Sequence, residues 1–359
     1  MNLIKIIGIS IIRFSAKIFW VLFVTSCLTP IDFETENIGG RLVVSGQISP
    51  IQDQNKIQLG LTADTKRLPL PLTGANITLF NDTGMAYPYI EDSENQGTYI
   101  LTNIIGVPTA TYYIQIIVPT GEVYKSIPEK MPESVGTIST RYDFLQEEYI
   151  DLEGVILNQY FAKIYLNSIL PTSSNPLYLK WSIEEAFILS PTDFPDPFGD
   201  IPPPCFIVQN ADPQRIALFN GDDLKTTSIE NLLIGSRIVD WTFLEKHYFT
   251  TYQSSLTKDA YEYWRKVNIL ANQVGSIFDT PPAEITGNIY NVNNPSEKVL
   301  GFFQASNQVI DRFYILPTNI PFPLLFKACS YDPIRFDYPT RCLDCLSLRN
   351  SSYIRPDWF

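Results

Sequence analysis

The sequence has very little histidine and few basic residues, and both shortages exclude classes of function. The chain of 359 residues contains one histidine, His247, which excludes metal sites that need two or more imidazoles, such as the HExxH zinc proteases. Lys and Arg total 26 against 38 Asp and Glu, so the chain lacks the basic surface with which proteins bind nucleic acid. No GxSxG or comparable nucleophile motif accompanies His247, and we expect a hydrogen-bonded or surface histidine rather than a general base. The sequence therefore predicts no enzyme, no metal site, no cofactor and no nucleic-acid partner.

Aromatic residues and proline, by contrast, are plentiful. The chain has 20 Tyr and 22 Phe, and its 27 Pro outnumber its 18 Gly. This usage is typical of a β-rich protein interrupted by rigid turns. At about 150 residues per domain, the length predicts two domains.

The N-terminal segment predicts an export signal. Residues 1–17 carry three basic side chains and no acidic one, and residues 18–25 form an apolar run. A bilayer core takes about 20 apolar residues, so this run is too short to cross it. Residues 24–27 resemble the bacterial lipobox, in which the cysteine is acylated, and a conventional signal peptide ending near a cysteine is the alternative. We therefore expect a signal peptide over residues 1–26 and a lipid anchor at Cys27.

A short acidic tether, residues 27–37, follows the predicted anchor. It carries Asp32, Glu34 and Glu36 within five positions. A solvated linker between lipid and domain is one interpretation. The other is a resemblance to the acidic export signal that follows the lipidated cysteine of surface lipoproteins in Bacteroidota, which implies a lipoprotein facing the cell exterior.

Short alternating strands and turn residues organise the rest of the chain. Residues 74–80, 97–99 and 112–116 resemble a transthyretin-like, immunoglobulin-like β-sandwich, which we place over residues 38–126. The proline-containing stretch 127–133 separates it from a second β-rich domain over residues 134–359. The fold class is thus mainly β, with a sandwich followed by a second domain that carries one main α-helix and a cysteine-containing tail.

The main helix is predicted over residues 257–274. Thr257 can cap it and Gly275 can end it. Its apolar positions recur at steps of three and four residues, namely Ala260, Trp264, Val267, Ala271 and Val274. Aromatic residues on strands and on an amphipathic helix are mostly core residues, and because Trp264 belongs to this apolar face, Tyr263 is the one that an exposed contact with a partner would use.

Four cysteines remain besides Cys27, an even number that predicts disulfides in an exported protein. Three pairings are open, and sequence alone does not choose among them. Cys342 and Cys345 are near enough to close a small ring, which would leave Cys205 to pair with Cys329. A redox or zinc role for the CxxC pair is the alternative, but zinc needs two further ligands and the thioredoxin-like pattern is absent.

Three stretches of the sequence together resemble one family. They are residues 42–48, residues 281–291 with 299–306, and residues 342–345 with 355–359. They resemble a family of Bacteroidota outer-membrane lipoproteins catalogued as domain of unknown function 4249. The resemblance implies a surface lipoprotein often encoded beside a TonB-dependent outer-membrane transporter, with no established catalytic residues. We therefore expect a non-enzymatic partner of such a β-barrel transporter in cargo capture or gating, and the alternative is a free-standing adhesin or glycan-binding module.

Overall fold

The protein is mainly β, as the sequence predicted, with one long helix, Lys258–Asn272. The architecture comes from a computed structural model that describes residues 40–63, 69–150, 154–172, 176–190, 203–213, 215–222, 226–272, 285–324, 329 and 338–359. The predicted signal peptide, the acidic tether and the cap at Gly275 lie outside the described residues.

The strands are short in the first part of the chain and longer in the second. The first ten are β1 (Leu42–Ile48), β2 (Lys56–Leu61), β3 (Leu70–Pro71), β4 (Asn76–Asn81), β5 (Ala86–Pro88), β6 (Ile90–Glu91), β7 (Thr98–Ile100), β8 (Thr111–Ile117), β9 (Val123–Ser126) and β10 (Glu129–Lys130). The others are β11 (Thr137–Ile150), β12 (Ile156–Ile169), β13 (Tyr178–Leu189), β14 (Cys205–Asn210), β15 (Ala217–Asn220), β16 (Ser228–Ile238), β17 (His247–Leu256), β18 (Ile289–Asn291), β19 (Leu300–Ala305), β20 (Asn307–Ile315) and β21 (Ser351–Ser352).

Two sheets form the predicted N-terminal sandwich. Sheet A has the order β19-β1-β2-β7-β6, with β3 on β2, and sheet B has the order β18-β9-β8-β4-β5, with β10 on β8. Alternation gives β8 one apolar face: Tyr112, Ile114 and Ile116 are buried while their neighbours are partly exposed. These side chains meet Val44 and Ile57 of sheet A in one core, which confirms the sandwich.

The domain boundary differs from the prediction, because strands from the second part of the chain complete both sheets of the sandwich. β19 pairs in parallel with β1, and β18 pairs with β9. The returning segment covers β1, which would otherwise be an unpaired edge. The division into 38–126 and 134–359 therefore does not follow the sheets, and residues 39–359 form one compact unit.

Two glycines make this return possible. Gly301 has φ +97°, and a Cβ atom there would lie 1.8 Å from the carbonyl oxygen of Val44. A Cβ atom on Gly287 would lie 1.4 Å from the carbonyl oxygen of Gly301. Between them, the side chain of Asn288 exchanges two hydrogen bonds with the backbone of Phe303, at 2.7 and 2.9 Å. Only glycine permits backbones to approach this closely.

Two further sheets form a second sandwich. Sheet C has the order β11-β12-β16, and sheet D has the order β20-β17-β13-β14-β21, with β15 on β13. Ile164 and Leu166 of β12 pack with Trp181 of β13 and Phe249 of β17 in the core between the sheets. Every residue of β17 is buried, because neighbouring elements cover sheet D on its other face as well.

The structure confirms the predicted start of the helix, while Trp264 and Val267 of its predicted apolar face are half-buried and Val274 lies outside the described residues. The hydroxyl of Thr257 accepts a hydrogen bond from the Ala260 N–H at 3.1 Å, as an N-cap does. Ala260 and Tyr261 are buried, whereas Ala271 is exposed. The helix residues that pack in an apolar cluster, Ala260, Tyr261, Tyr263 and Trp264, all lie in its first two turns. No helix among the described residues has the length and apolarity to span a membrane.

The favoured cysteine pairing was wrong, although the four cysteines do form two disulfides. Cys205 pairs with Cys345, and Cys329 pairs with Cys342, with Cα–Cα distances of 5.9 and 5.2 Å. Cys342 lies in the short helix Thr340–Leu343, whereas Cys345 lies in the 3-10 turn that follows. The two neighbours therefore belong to different turns and face different partners.

Candidate functional site

The candidate site is a cleft between the outer face of sheet A and sheet D. It contains two adjoining cavities, one of about 150 Å³ and one of about 450 Å³. Lys56 and Gln58 of β2 line both cavities, so the two form one continuous cleft. Ligand sites for small molecules are typically about 300–1,000 Å³.

Strand alternation explains which side chains face the cleft. On β19, Phe303 is fully buried in the core of the first sandwich, while its neighbours Phe302 and Gln304 line the smaller cavity. On β13, Trp181 points into the core of the second sandwich, while Lys180 and Glu184 line the cleft. The residues that build the core thus fix the direction of the polar residues beside them.

Lys180 is the charged side chain of the smaller cavity on sheet D. Its Nζ lies 3.6 Å from the ring centroid of Trp264 on the helix, the geometry of a cation–π contact. The residue is half-buried, and none of the ion pairs of the described residues includes it. Desolvation lowers the pKa of the Lys180 amine to about 7.

A relay of side-chain amides forms the wall opposite Lys180. The Trp264 Nε1–H donates to Gln304 Oε1 at 2.8 Å, and Gln304 Nε2 donates to Gln47 Oε1 at 2.9 Å. Gln47 Nε2 in turn donates to Gln54 Oε1 at 3.2 Å. Each hydrogen bond fixes the orientation of the next amide, so the wall is organised before any ligand arrives.

Tyr263 needs a correction, because it is not the freely exposed aromatic residue that the sequence predicted. Its ring packs on Phe302, with centroids 4.9 Å apart, and edge-on against Trp264 at 5.5 Å. The side chain is half-buried, and burial raises the pKa of its phenol. Tyr263 therefore packs against Phe302 and Trp264, the two aromatic side chains that line the smaller cavity. A contact with a partner stays a prediction.

The larger cavity is more acidic. Asp53, Asp92 and Glu184 line it together with Lys56. Burial raises the pKa of the Glu184 carboxyl, while the Lys56 charge and a hydrogen bond from the Tyr252 hydroxyl at 3.2 Å partly offset this effect. The cleft therefore has an amine at one end and carboxyl groups at the other.

His247 lies away from the cleft in a buried ion network. Its Nε2 lies 3.0 Å from Glu185 Oε2, and its Nδ1 lies 3.3 Å from the carbonyl oxygen of Thr242. Arg237 Nε donates to the same Glu185 oxygen at 2.7 Å. Desolvation would raise the pKa of Glu185, but the His247 hydrogen bond and the Arg237 charge more than offset it and lower that pKa.

This network holds the second sandwich together rather than facing a ligand. Both His247 and Glu185 are at most 1% exposed. The imidazole lies between Phe243 and Phe187, with ring centroids 4.1 and 5.4 Å away. A substrate outside the protein has no contact with either ring nitrogen. The hydrogen-bonded alternative for His247 is the one that the structure has.

A second surface feature is a projecting hairpin. β11 and β12 pair along their whole length, whereas β16 pairs only with the stretch from Phe161 onward. The outer part, residues 145–150 and 155–160, therefore pairs with no third strand of the described residues, and we call it the hairpin tip. Ile150 and Ile156 face each other there and are 64% and 62% exposed.

The predicted site residues fall into two groups. Cys27, Asp32, Glu34 and Glu36 lie outside the described residues, so their roles stay predictions. The four other cysteines are all in disulfides, and no group of three His, Cys, Asp or Glu side chains in the described part of the chain is arranged to hold a metal ion.

Sequence reasoning missed the cleft residues. The one signal in the sequence is the alternation of β13 and β19, which puts Lys180 and Gln304 on the face opposite the core. Nothing in the sequence shows that these two faces meet.

Comparison with known proteins finds one family. The model of the domain of unknown function DUF4249 matches residues 28–312. No curated protein matches the chain.

Proposed function

Because the chain belongs to the DUF4249 family, whose description assigns no reaction, we propose its function from the surface it exposes. The protein is a non-enzymatic lipoprotein of the outer membrane, anchored at Cys27 and displayed on the cell exterior. It is a partner of a TonB-dependent β-barrel transporter in cargo capture or gating, with the hairpin tip as the docking element.

The observation that carries this proposal is the exposed apolar character of the hairpin tip. Leu145 and Val155 are 43% and 48% exposed as well, and the strand register puts Leu145 on the face of the hairpin opposite Ile150 and Ile156. A two-stranded hairpin gains little stability by itself in water, and grouped apolar side chains on a protein surface mark interaction sites. The proposed lipid anchor at Cys27 holds the protein at the membrane in which the transporter resides.

Purification from the native outer membrane tests the docking. The full-length lipoprotein with a C-terminal tag is recovered from detergent-solubilised membranes, and co-purifying proteins are identified by mass spectrometry. We expect a β-barrel transporter with the wild type and at least tenfold less of it with Ile156→Lys. Ile90→Lys is the matched control, because Ile90 is 59% exposed on a strand of the first sandwich.

The outcome against docking is equally definite. Recovery of the wild-type lipoprotein without any β-barrel would count strongly against the partnership. Equal recovery of the transporter by Ile156→Lys and the wild type would exclude the hairpin tip as the docking element.

The cleft favours the second candidate function, a free-standing glycan-binding or adhesin module. Trp264 and the amide relay through Gln304, Gln47 and Gln54 combine an aromatic side chain with hydrogen-bonding groups, which is the chemistry that recognises sugars. Calorimetry of the detergent-solubilised lipoprotein against a panel of soluble glycans tests it. Heats equal to dilution across the panel would remove its support.

A further inference from the structure

The amine of Lys180 occupies a place where its charge is poorly compensated. Among the described residues, the contact recorded for its charge is the face of Trp264 at 3.6 Å. A half-buried ammonium that lacks a carboxylate is costly, because desolvation disfavours the charged form.

The charged groups around Lys180 do not supply the missing partner. Lys56 of β2 is the other charged residue in the described lining of the smaller cavity, and it has the same sign. On the helix, Glu262 pairs with Arg265 at 2.8 Å. On β13 itself, Glu184 lines the larger cavity. A negative group inside the smaller cavity would therefore meet two amines.

We propose that the smaller cavity binds the anionic group of a small hydroxylated ligand, such as a sugar acid, with Lys180 as its countercharge. The amides of Gln54 and Gln58, which line the same cavity, bind the neighbouring hydroxyl groups. The proposal deepens the glycan-binding candidate and is independent of docking at the hairpin tip.

The sizes of the two cavities fit a ligand that places only its anionic end in the smaller one. About 150 Å³ is below the usual range of small-molecule sites, so the smaller cavity takes the anionic group and its immediate neighbours. The rest of the ligand extends past Lys56 and Gln58 into the larger cavity of about 450 Å³. The carboxyl groups there repel a second anionic group, which favours a ligand with its negative charge at one end.

Binding of an anion should be coupled to proton uptake by Lys180. With a pKa of about 7, the free amine is roughly nine-tenths deprotonated at pH 8 and one-tenth deprotonated at pH 6. An anion beside the amine favours the charged form. We expect anion binding to take up protons from the solvent, and more of them per site at pH 8 than at pH 6.

Calorimetry and NMR of the full-length lipoprotein in detergent test the proposal. The probes are D-glucuronate, acetate, inorganic phosphate and the neutral control D-glucose. Titration in two buffers of different ionisation enthalpy measures the proton uptake, and the ¹³Cε signal of Lys180, assigned with Lys180→Arg, reports the amine itself. We expect glucuronate to bind at least tenfold more tightly than glucose and to shift the Lys180 signal. Stronger binding of acetate or phosphate than of glucuronate would keep the anion site but exclude the hydroxyl contacts.

Three variants separate the charge from the fold. Lys180→Met should lose at least tenfold in glucuronate affinity, whereas Lys180→Arg should keep the affinity within about threefold and abolish the proton uptake. Lys246→Met is the matched control, because Lys246 Nζ also lies over an aromatic ring, 4.0 Å from the Tyr314 centroid, outside the cleft. Thermal unfolding confirms that each variant is folded. If no anion below 50 mM shifts the Lys180 signal, the proposal is overturned, whatever the result at the hairpin tip.

Discussion

Glu129 should make the stability of this protein depend on pH. The side chain comes from β10 and is 4% exposed. Its Oε2 accepts a hydrogen bond from the Thr257 hydroxyl at 2.7 Å, and its Oε1 lies 3.5 Å from the Asn288 amide. Desolvation, together with repulsion by Asp259 in the first turn of the helix, raises the pKa of the Glu129 carboxyl to about 7.

The size of the effect follows from the difference between the folded and unfolded pKa values. The folded value of about 7 lies above the ordinary value of 4.5, so the folded state binds the proton of Glu129 more tightly. The stability that this proton contributes is complete below pH 4.5 and is lost as the pH rises to 7. Above pH 7 the ionised carboxylate costs about 3 kcal/mol, at about 1.4 kcal/mol per pKa unit.

Glu129→Gln isolates this cost, because glutamine keeps the shape and can still accept from Thr257. Urea unfolding with the disulfides intact gives the free energy of unfolding at pH 4.5, 6, 7 and 8. We expect the variant to match the wild type at pH 4.5 within about 1 kcal/mol and to exceed it by about 3 kcal/mol at pH 8. Glu94→Gln, at an exposed position, controls for the change of net charge. Parallel pH profiles of wild type and Glu129→Gln would refute the reasoning.

Two further predictions concern the tertiary connections. Gly301→Ala should lower the free energy of unfolding, measured in urea, by at least about 2 kcal/mol, because it adds a backbone clash to an unfavourable φ. Gly84→Ala is the control: its φ is +81° and the space around it is open, so it should lower the free energy of unfolding less. Equal losses in the two variants would contradict a backbone clash at Gly301. Cys345→Ser should release one thiol that peptide mapping assigns to Cys205, since those two are bonded across 140 residues, and a thiol at Cys342 instead would contradict the pairing. The same variant removes a long-loop disulfide worth up to about 5 kcal/mol, so its urea midpoint should fall as well.

Local patterns in the sequence predicted the elements well. Alternation in β8, where Tyr112, Ile114 and Ile116 are buried, identified a strand with one apolar face. Thr257 identified the start of the helix, because a cap depends only on the residues of the first turn. The end of the apolar face was predicted less well, since exposure at Ala271 depends on what the rest of the chain leaves uncovered.

The cleft could not be predicted, because its residues are far apart in the chain. Gln47, Lys180, Trp264 and Gln304 meet only when β19 returns to β1 and sheet D lies against the outer face of sheet A. No motif links these positions. Gly287 and Gly301 are present in the sequence, but only the structure shows that other backbone segments lie too close to them for a side chain.

The sequence by itself determined the β-rich class, the likeness to the DUF4249 family, the position of the main helix and the even set of disulfide cysteines. Each of these depends on composition or on residues that are neighbours in the chain. The tertiary structure decided that late strands complete the first sandwich, that Cys205 pairs with Cys345, and that Lys180 lies over Trp264, outside the ion pairs of the described residues. These features depend on contacts between residues far apart in the chain, which periodicity and spacing do not encode.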